Sequence, residues 1–363
     1  MSKKITVSAP GKLMLLGEYA VVYNRACLVT AIDKRLYATV EIIDKQEFQL
    51  EAEDVRIAEY KKPMSELGKG DIPKGARFAE MTVKNTLELN SKFLLRHSGK
   101  SVSRRTHPEF PRTIGDSGQA RLAFALAKRA RMTVGIRITT KSEFSCQFGF
   151  GSSSAATVCV IKALSGLLDL NLSQKEIFDL SYKTILDIQG KGSGFDVGAA
   201  VYGGTLYFVT GGKAIESFNI KAIPLVVGYS GIKADTVQLI NKVKEDFSNR
   251  KNRLEEIYNA IEVLVNKAKA ALIKKNWETL GDLMNQNQNY LKELGVSTPK
   301  LDNMIKAALD GGAYGAKLSG AGGGDCMIAT ATENKKLAVE EAIIQAGGKV
   351  ISVETNAEGV RIE

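Results

Sequence analysis

The segment best suited to chemistry is a run of glycine and serine, Gly149-Phe150-Gly151-Ser152-Ser153-Ser154-Ala155. A glycine-rich loop that opens a helix offers backbone N–H groups and the positive end of the helix dipole to a phosphate. The serines add a helix cap and a hydroxyl that suits a phosphate-bound Mg²⁺. No Gly-Lys-Ser/Thr follows at the spacing of a Walker A loop. The run predicts a nucleotide-phosphate site, with an ordinary turn as the alternative.

Two other glycine-bearing segments contain charged residues. The first, Ala9–Val22, places Lys12 and Glu18 at either end of a strand with buried character. A solvent-facing ion pair is the simpler interpretation of these two residues. The second, Lys317–Cys326, is too rich in glycine for a regular element and lies between a predicted helix and a predicted strand. Taken alone, it also fits a flexible connection.

The surrounding elements follow from hydrophobic periodicity. Alternation in the first forty residues and in Gly135–Thr140 predicts strands, and a period of three to four from Val158 to Leu168 predicts a helix after the glycine loop. Ser173 and Glu176 form a capping-box pattern for the next helix. Further patterns predict strands at 204–210, 223–229, 326–331 and 349–353, and helices at 235–294, 298–309 and 335–345. We predict domains 1–219 and 220–363, with a boundary near Asn219.

Composition indicates a globular protein. The chain has 363 residues, of which 44% are hydrophobic and 25% are charged, as expected for two domains. Its apolar runs are strand-sized and far shorter than the roughly 18 residues that span a bilayer. No apolar block of a secretory signal follows the N-terminus, so we expect a cytoplasmic protein without membrane contact. Four cysteines without CxxC spacing and two histidines predict reduced thiols rather than a zinc site or a disulfide framework.

The net charge of +10 is concentrated in one place. Between Ser91 and Met132, which we call the basic segment, ten Lys or Arg face two acids, a local net charge of +8. The segment lacks the interleaved aromatic residues of a base-stacking surface and any recognition-helix motif. We therefore expect a solvated surface or a rim around a polyphosphate pocket, and no nucleic-acid partner.

Together, the three glycine segments occur in the order and at the relative spacing that resemble the GHMP kinase superfamily, particularly its mevalonate kinase and phosphomevalonate kinase branch. This resemblance covers nearly the whole chain. It implies an α+β two-domain GHMP kinase fold, in which an N-terminal α/β domain like domain 2 of ribosomal protein S5 precedes a ferredoxin-like C-terminal α+β domain. The active site would lie in the cleft between the domains.

The resemblance also implies an activity. ATP, with Mg²⁺, would phosphorylate mevalonate in isoprenoid precursor biosynthesis, with phosphomevalonate as the alternative acceptor. A diphosphomevalonate decarboxylase and a non-catalytic nucleic-acid-binding protein are more remote alternatives. A homodimer is left open.

Site residues are carried over by motif. Asp196 matches the aspartate that accepts the proton of the attacking hydroxyl, and Lys12 matches the lysine near that hydroxyl. The implied ATP-binding residues are Gly149, Phe150, Gly151, Ser152, Ser153 and Ser154, with Ser153 on the metal, and the implied substrate-binding residues are Glu18, Tyr19, Thr236, Ser319, Gly320 and Ala321.

These roles agree with the chemistry of phosphoryl transfer, which needs charge compensation and alignment more than covalent help. Asp196 follows the glycine turn Gly190–Gly194, from which a carboxylate can project. A lysine beside it would stabilise a developing alkoxide. A turn-capping role for Asp196 and a snorkelling strand-end role for Lys12 are the alternatives.

The chain departs from the mevalonate kinase pattern at two places. It has Gly17-Glu18-Tyr19 where those enzymes usually have Gly-Glu-His. Phosphomevalonate kinases often have Tyr at this position, and their third motif frequently ends as Gly324-Asp325-Cys326 does here. The metal-binding glutamate expected eleven residues before Asp196 is replaced by Ile185, and Asp187 lies about 200° from that position around a helix. A phosphorylated acceptor would need a further cation, for which the candidates are Lys191, Lys233 and an arginine of the basic segment. Both acceptors therefore stay open.

Overall fold

A computed structural model describes residues 3–97, 134–218 and 220–363. The predicted boundary at Asn219 and residues 98–132 of the basic segment lie outside these ranges. Within them the chain forms two β-sheets with helices packed on both. None of the helices described there combines the length and the apolar character needed to cross a bilayer.

The strands of the first sheet are β1 Lys4–Leu16, β2 Ala26–Ile43, β3 Glu47–Ala52, β4 Ile57–Pro63, β5 Gly135–Ser142, β6 Thr205–Val209, β7 Ala214–Phe218 and β12 Arg361–Ile362. The sheet is built on the two long antiparallel strands β1 and β2, whose apolar residues form much of the core. Its strand order is β12-β1-β2-β5-β3-β4, while β6 pairs with a separate stretch of β2 and β7 pairs with β6.

The second sheet contains β8 Leu225–Tyr229, β9 Gly315–Ser319, β10 Cys326–Thr330 and β11 Lys349–Ile351. Its order is β11-β8-β10-β9, and each pairing is antiparallel. Helices separate β8 from β9 and β10 from β11, which gives the βαββαβ arrangement of a ferredoxin-like unit. The ferredoxin-like prediction is confirmed. The last strand, β12, returns to the first sheet and pairs with β1.

The helices are α1 Arg77–His97, α2 Ser152–Leu167, α3 Gln174–Gln189, α4 Phe195–Tyr202, α5 Thr236–Asp246, α6 Lys251–Ile273, α7 Trp277–Glu293, α8 Pro299–Asp310 and α9 Glu333–Gln345. The predicted capping box of α3 is present, and Thr298 caps α8 as its sequence indicates. The helical region predicted at 235–294 is confirmed, and it comprises three helices. Asn276 begins the third by accepting a hydrogen bond from the Thr279 N–H at 3.0 Å.

The outer edge of β1 connects three distant parts of the chain. Near its start it pairs with β12, and the Glu363 N–H donates to the Thr6 carbonyl at 3.0 Å. Further along, the Lys12 N–H donates to the Phe150 carbonyl at 3.0 Å. Next, the Met14 N–H donates to Ser319 Oγ at 3.0 Å. One strand edge thus holds the C-terminal strand, the glycine loop and the end of β9.

Arg35 fixes the C-terminal segment to the first sheet. Its buried guanidinium donates to the carbonyls of Glu358 and Gly359, both at 2.8 Å, and to Ser8 Oγ at 2.6 Å. Backbone carbonyls buried without a donor are costly, so this side chain satisfies groups that the short β12 leaves unpaired.

Replacing Arg35 tests that anchor. We expect Arg35→Gln to lower the free energy of unfolding in urea by about 3 kcal/mol, because buried carbonyls lose their donors. The matched control is Arg137→Gln on β5, whose half-exposed side chain pairs with Glu41 at 3.4 Å, and there we expect a change below about 1 kcal/mol. Equal effects of the two substitutions would contradict the anchoring role.

Candidate active site

The glycine loop is held by its central phenylalanine. Phe150 is buried, and its ring centroid lies 5.9 Å from that of Phe144 and 5.6 Å from that of Phe148. On either side, Gly149 has φ of +74° and Gly151 has φ of +83°, in the left-handed region that favours glycine. Gly151 is the N-cap of α2. The sequence therefore produces a loop in which the Phe150 ring is buried in the core and the backbone leads into the N-terminus of α2.

Lys12 contacts this loop through both its backbone and its side chain. Its ammonium donates to the Gly149 carbonyl at 2.7 Å and lies 5.2 Å from the ring centroid of Phe195. The residue is only 8% exposed. Burial lowers the pKa of Lys12 from its usual 10.5, and the charges of Asp196 and Asp325 oppose that shift.

Asp196 lies beside Lys12 in the first turn of α4, after the N-cap Gly194 with φ of +87°. Its Oδ2 accepts a hydrogen bond from Ser154 Oγ at 2.6 Å. A Cβ placed on Gly151 would lie 3.4 Å from Lys12 Cε and 3.6 Å from Asp196 Cβ. The structure thus brings together the two residues predicted to be catalytic and the loop predicted to bind ATP.

Asp325 is a residue of this site to which the sequence assigned no role. It has φ of +54°, and its Oδ1 accepts hydrogen bonds from the Ala234 N–H at 3.1 Å and Lys233 Nζ at 3.3 Å. A Cβ on Gly149 would lie 2.5 Å from Asp325 Oδ2. The third glycine segment therefore reaches the glycine loop through this carboxylate. The sequence signal that could have identified Asp325 is an acidic residue placed directly between a run of glycines and a buried strand.

Four of the residues predicted to bind substrate have their polar atoms engaged with protein. Glu18 pairs with Lys317, the Tyr19 hydroxyl donates to the Ala321 carbonyl at 2.6 Å, and Ser319 bonds the backbone of Met14.

Thr236 is exposed at the first position of α5, and a Cβ at Gly320 would meet no described atom within 4 Å. Gly320 is partly exposed, as Ala321 is, and its N–H donates to Glu18 Oε1 at 3.5 Å, so Thr236 is the one exposed member of the predicted substrate-binding set.

The candidates for a second metal ligand and for a further cation that the structure describes also have partners, and the arginines of the basic segment lie outside the described side chains. Ile185 is buried, and Asp187 accepts hydrogen bonds from Asn85 Nδ2 at 2.9 Å and from Lys183. Lys191 donates to Asn241 Oδ1 at 2.6 Å. In the described part of the chain, no group of three His, Cys, Asp or Glu side chains is arranged to hold a metal ion.

Comparisons with known proteins agree with this geometry. The sequence matches the family model described as GHMP kinases N terminal domain over residues 119–204 and the one described as GHMP kinases C terminal over residues 268–349. It is 32% identical to a mevalonate kinase of Pyrococcus furiosus, over 99% of this chain and 98% of that protein. It is 34% identical to a mevalonate kinase of Pyrococcus horikoshii, over 100% of this chain and 99% of that protein.

A solved structure supports the same assignment. The mevalonate kinase of Methanococcus jannaschii superposes with a TM-score of 0.71 at 26% identity, covering 97% of this chain and 98% of that one. The two-sheet fold and these full-length similarities define the chain as a kinase. It belongs to the GHMP kinase family, and the two-domain GHMP fold predicted from its sequence is confirmed.

The contact between Gly149 and Asp325 can be tested with two glycines of equal φ. Gly149 and Gly190 have φ of +74° and +73°, but a Cβ at Gly190 meets nothing within 4 Å. We expect Gly190→Ala to lower the free energy of unfolding by about 1 kcal/mol through backbone strain alone. Gly149→Ala should lose roughly 2 kcal/mol more, because its Cβ overlaps the carboxylate, and should also weaken nucleotide binding measured by calorimetry. Similar losses for both variants would show that the carboxylate is not packed there.

Proposed function

We propose that this protein is a mevalonate kinase, which transfers the terminal phosphoryl group of ATP to mevalonate and forms 5-phosphomevalonate for isoprenoid precursor biosynthesis. The observation that carries the proposal is the meeting of Lys12, Asp196 and the glycine loop at the N-terminus of α2. Full-length similarity to mevalonate kinases supports the choice of acceptor.

Each residue of the cluster has a part in the reaction. The nucleotide phosphates rest on the backbone of residues 149–154, where N–H groups and the dipole of α2 compensate their charge. Asp196 accepts the proton of the acceptor hydroxyl, whose oxygen forms a bond to the γ-phosphorus while the bond from that phosphorus to the β-γ bridging oxygen breaks. ADP leaves with the electron pair. The Lys12 ammonium stabilises the developing alkoxide, and the Ser154 hydroxyl fixes the rotamer of Asp196.

The first turn of α2 fits a magnesium ion. Ser152 and Ser153 are partly exposed beside the phosphate loop, and hydroxyl oxygens are ligands that Mg²⁺ accepts alongside phosphate oxygens and water. When bound, the ion would neutralise charge on the β- and γ-phosphates. We propose Ser153 as its protein ligand and assign no second one, because Asp187 is occupied by Asn85 and Lys183.

The described cations favour an unphosphorylated acceptor. Lys233 pairs with Asp325, and Lys191 is bonded to Asn241. A phosphate already present on the acceptor could pair with either lysine only if that lysine broke its present bond. The single carboxylate of mevalonate carries less negative charge and needs fewer cations. We propose that Thr236, the exposed member of the predicted substrate set, lines the acceptor side of the cleft together with the partly exposed Gly320. The cytoplasmic location and a homodimer stay predictions.

The base assignment is tested by Asp196→Asn, which keeps the shape of the side chain and removes the proton acceptor. We expect kcat to fall by about 10²–10⁴, with ATP affinity nearly unchanged. The measurement is a coupled assay of ADP release, run with mevalonate and phosphomevalonate in parallel and with CO₂ release monitored. Asp179→Asn, an exposed change on α3, is the control. Activity retained in Asp196→Asn would refute the role, and preference for phosphomevalonate or release of CO₂ would refute the choice of reaction.

Lys12 gives the enzyme a pH dependence. Because burial lowers the pKa of Lys12 below 10.5, its protonated fraction falls as the pH rises through that lowered value, and kcat/KM falls with it. On the profile of kcat/KM against pH, the alkaline decrease should therefore occur at a lower pH than the pKa of an exposed lysine. In Lys12→Arg the cation stays charged to a pH of about 12 or above, so the limb should move upward although kcat is lower. An alkaline limb that is the same in both enzymes would assign it to another group.

A further inference from the structure

Asp325 lies where the third glycine segment meets the glycine loop, and the proposed reaction gives it no part. It is 4% exposed, and its φ of +54° is one that glycine adopts with less strain. Gly322 and Gly323, shortly before it, have φ of +76° and +70°. A buried aspartate in a conformation that suits glycine indicates that its carboxylate is needed at this place.

The carboxylate of Asp325 is fixed against the glycine loop. The Asp325 N–H donates to the Ile232 carbonyl at 2.7 Å, and Oδ1 accepts from the Ala234 N–H at 3.1 Å and from Lys233 Nζ at 3.3 Å. The other oxygen, Oδ2, lies where a Cβ on Gly149 would approach it to 2.5 Å. A negative charge is thus held beside the backbone of residue 149.

Lys12 contacts the same glycine. Its ammonium donates to the Gly149 carbonyl at 2.7 Å and lies 5.2 Å from the ring centroid of Phe195. Both partners are neutral, so the carboxylates of Asp196 and Asp325 act on the ammonium through space. A buried ammonium keeps its proton only when negative charge is close to it.

The charge of Lys12 depends on its surroundings. The titratable groups that face it in the described part of the chain are Asp196, Asp325, Lys233, Cys27 and Cys326. Burial lowers the pKa of Lys12, the two carboxylates raise it, Asp196 more than Asp325, and Lys233 lowers it. Burial also raises the pKa of both thiols, which therefore stay uncharged. The negative charge that these groups offer the ammonium belongs to the two carboxylates.

The proposed reaction removes one of these two charges. When Asp196 takes the proton of the acceptor hydroxyl, its carboxylate becomes a neutral carboxylic acid. Lys12 then loses the stronger of its two negative neighbours at the step in which its own charge stabilises the developing alkoxide. Asp325 takes no part in the proton transfer, so it keeps its charge through that step.

We propose that Asp325 is a positioning residue for Lys12: its carboxylate, fixed against Gly149, holds the ammonium protonated at the glycine loop while Asp196 carries the proton of the acceptor hydroxyl. Lys233 moderates this effect, because it pairs with the carboxylate and is itself a nearby cation. The inference rests on the proposed function for the part of Asp196. The action of Asp325 on Lys12 requires no substrate.

The test measures the charge state of Lys12 in the full-length chain without substrate. The rate of Lys12 acetylation by acetic anhydride, followed by mass spectrometry at a series of pH values, gives the midpoint at which this amine loses its proton. The exposed Lys274 is the internal reference in the same samples. The alkaline decrease of kcat/KM for mevalonate is measured in parallel.

Two variants change the ion pair from opposite sides. Asp325→Asn keeps the size of the side chain and an oxygen for the Ala234 N–H, and it removes the negative charge. Lys233→Met removes the cation, whose side chain is 48% exposed. The control is Asp246→Asn, which removes a carboxylate bonded to a lysine at 2.6 Å at the other end of α5.

In Asp325→Asn the Lys12 midpoint should fall by about one pH unit, because a nearby negative charge is lost, and the alkaline decrease of kcat/KM should move to lower pH with it. In Lys233→Met the midpoint should rise, because a repelling cation is removed and Asp325 no longer shares its charge. The Asp246→Asn control should have the wild-type midpoint. A purely structural role of the pair predicts a rise in both variants, since a loosened cleft admits water to the amine.

A Lys12 midpoint that is unchanged or raised in Asp325→Asn overturns the proposal. If that variant does not fold, Lys233→Met decides, and a midpoint that fails to rise there overturns the proposal instead. A wild-type enzyme that does not turn over mevalonate refutes the proposed function. The substrate-free midpoints still decide the role of Asp325 in that case.

Discussion

The site depends on the hydrogen-bonding requirement of a single strand edge. Beyond its pairing with β12, β1 has no neighbouring strand on its outer side among the residues that the structure describes, and buried N–H and C=O groups there need partners. The chain supplies them from two distant loops, the carbonyl of Phe150 and the hydroxyl of Ser319. Because the first of these bonds is made by the Lys12 N–H and the second lies two residues further along β1, satisfying the backbone also places the ammonium. Fold stability and the geometry for chemistry therefore come from the same contacts.

Charge compensation in the cleft follows from the same arrangement. Lys12 and Lys233 lie among Asp196 and Asp325, so the described cations and carboxylates nearly balance before any ligand binds. A nucleotide's phosphates must then be compensated mainly by backbone N–H groups at the start of α2 and by a metal ion. This explains why glycines with positive φ surround the site. Gly149 accommodates the Asp325 carboxylate, and Gly151 accommodates Lys12 and Asp196, where a Cβ would be in contact with them.

Local features were predictable from the sequence, and long-range ones were not. The glycine loop, the capping box at Ser173 and the cap at Thr298 are set by neighbouring residues, and the structure has them where the patterns indicate. The helical region at 235–294 was predicted, but the bounds of its three helices were not, because the breaks depend on caps such as Asn276 that interrupt no hydrophobic period. The Glu18 to Lys317 pair and the Ser319 to Met14 bonds join residues 299 and 305 positions apart. No local pattern encodes such contacts.

Motif resemblance indicated segments that converge in the structure, but it did not show which of their side chains are bonded inside the protein. Glu18, Tyr19 and Ser319 belong to glycine-bearing segments that converge on the site, yet each directs its polar atoms to the other sheet. A residue that holds two loops together is constrained in type as strictly as one that contacts a ligand, because a buried carboxylate or hydroxyl must keep its partner. The bonds that these side chains make inside the protein therefore constrain the backbone at the end of β1, two residues beyond Lys12.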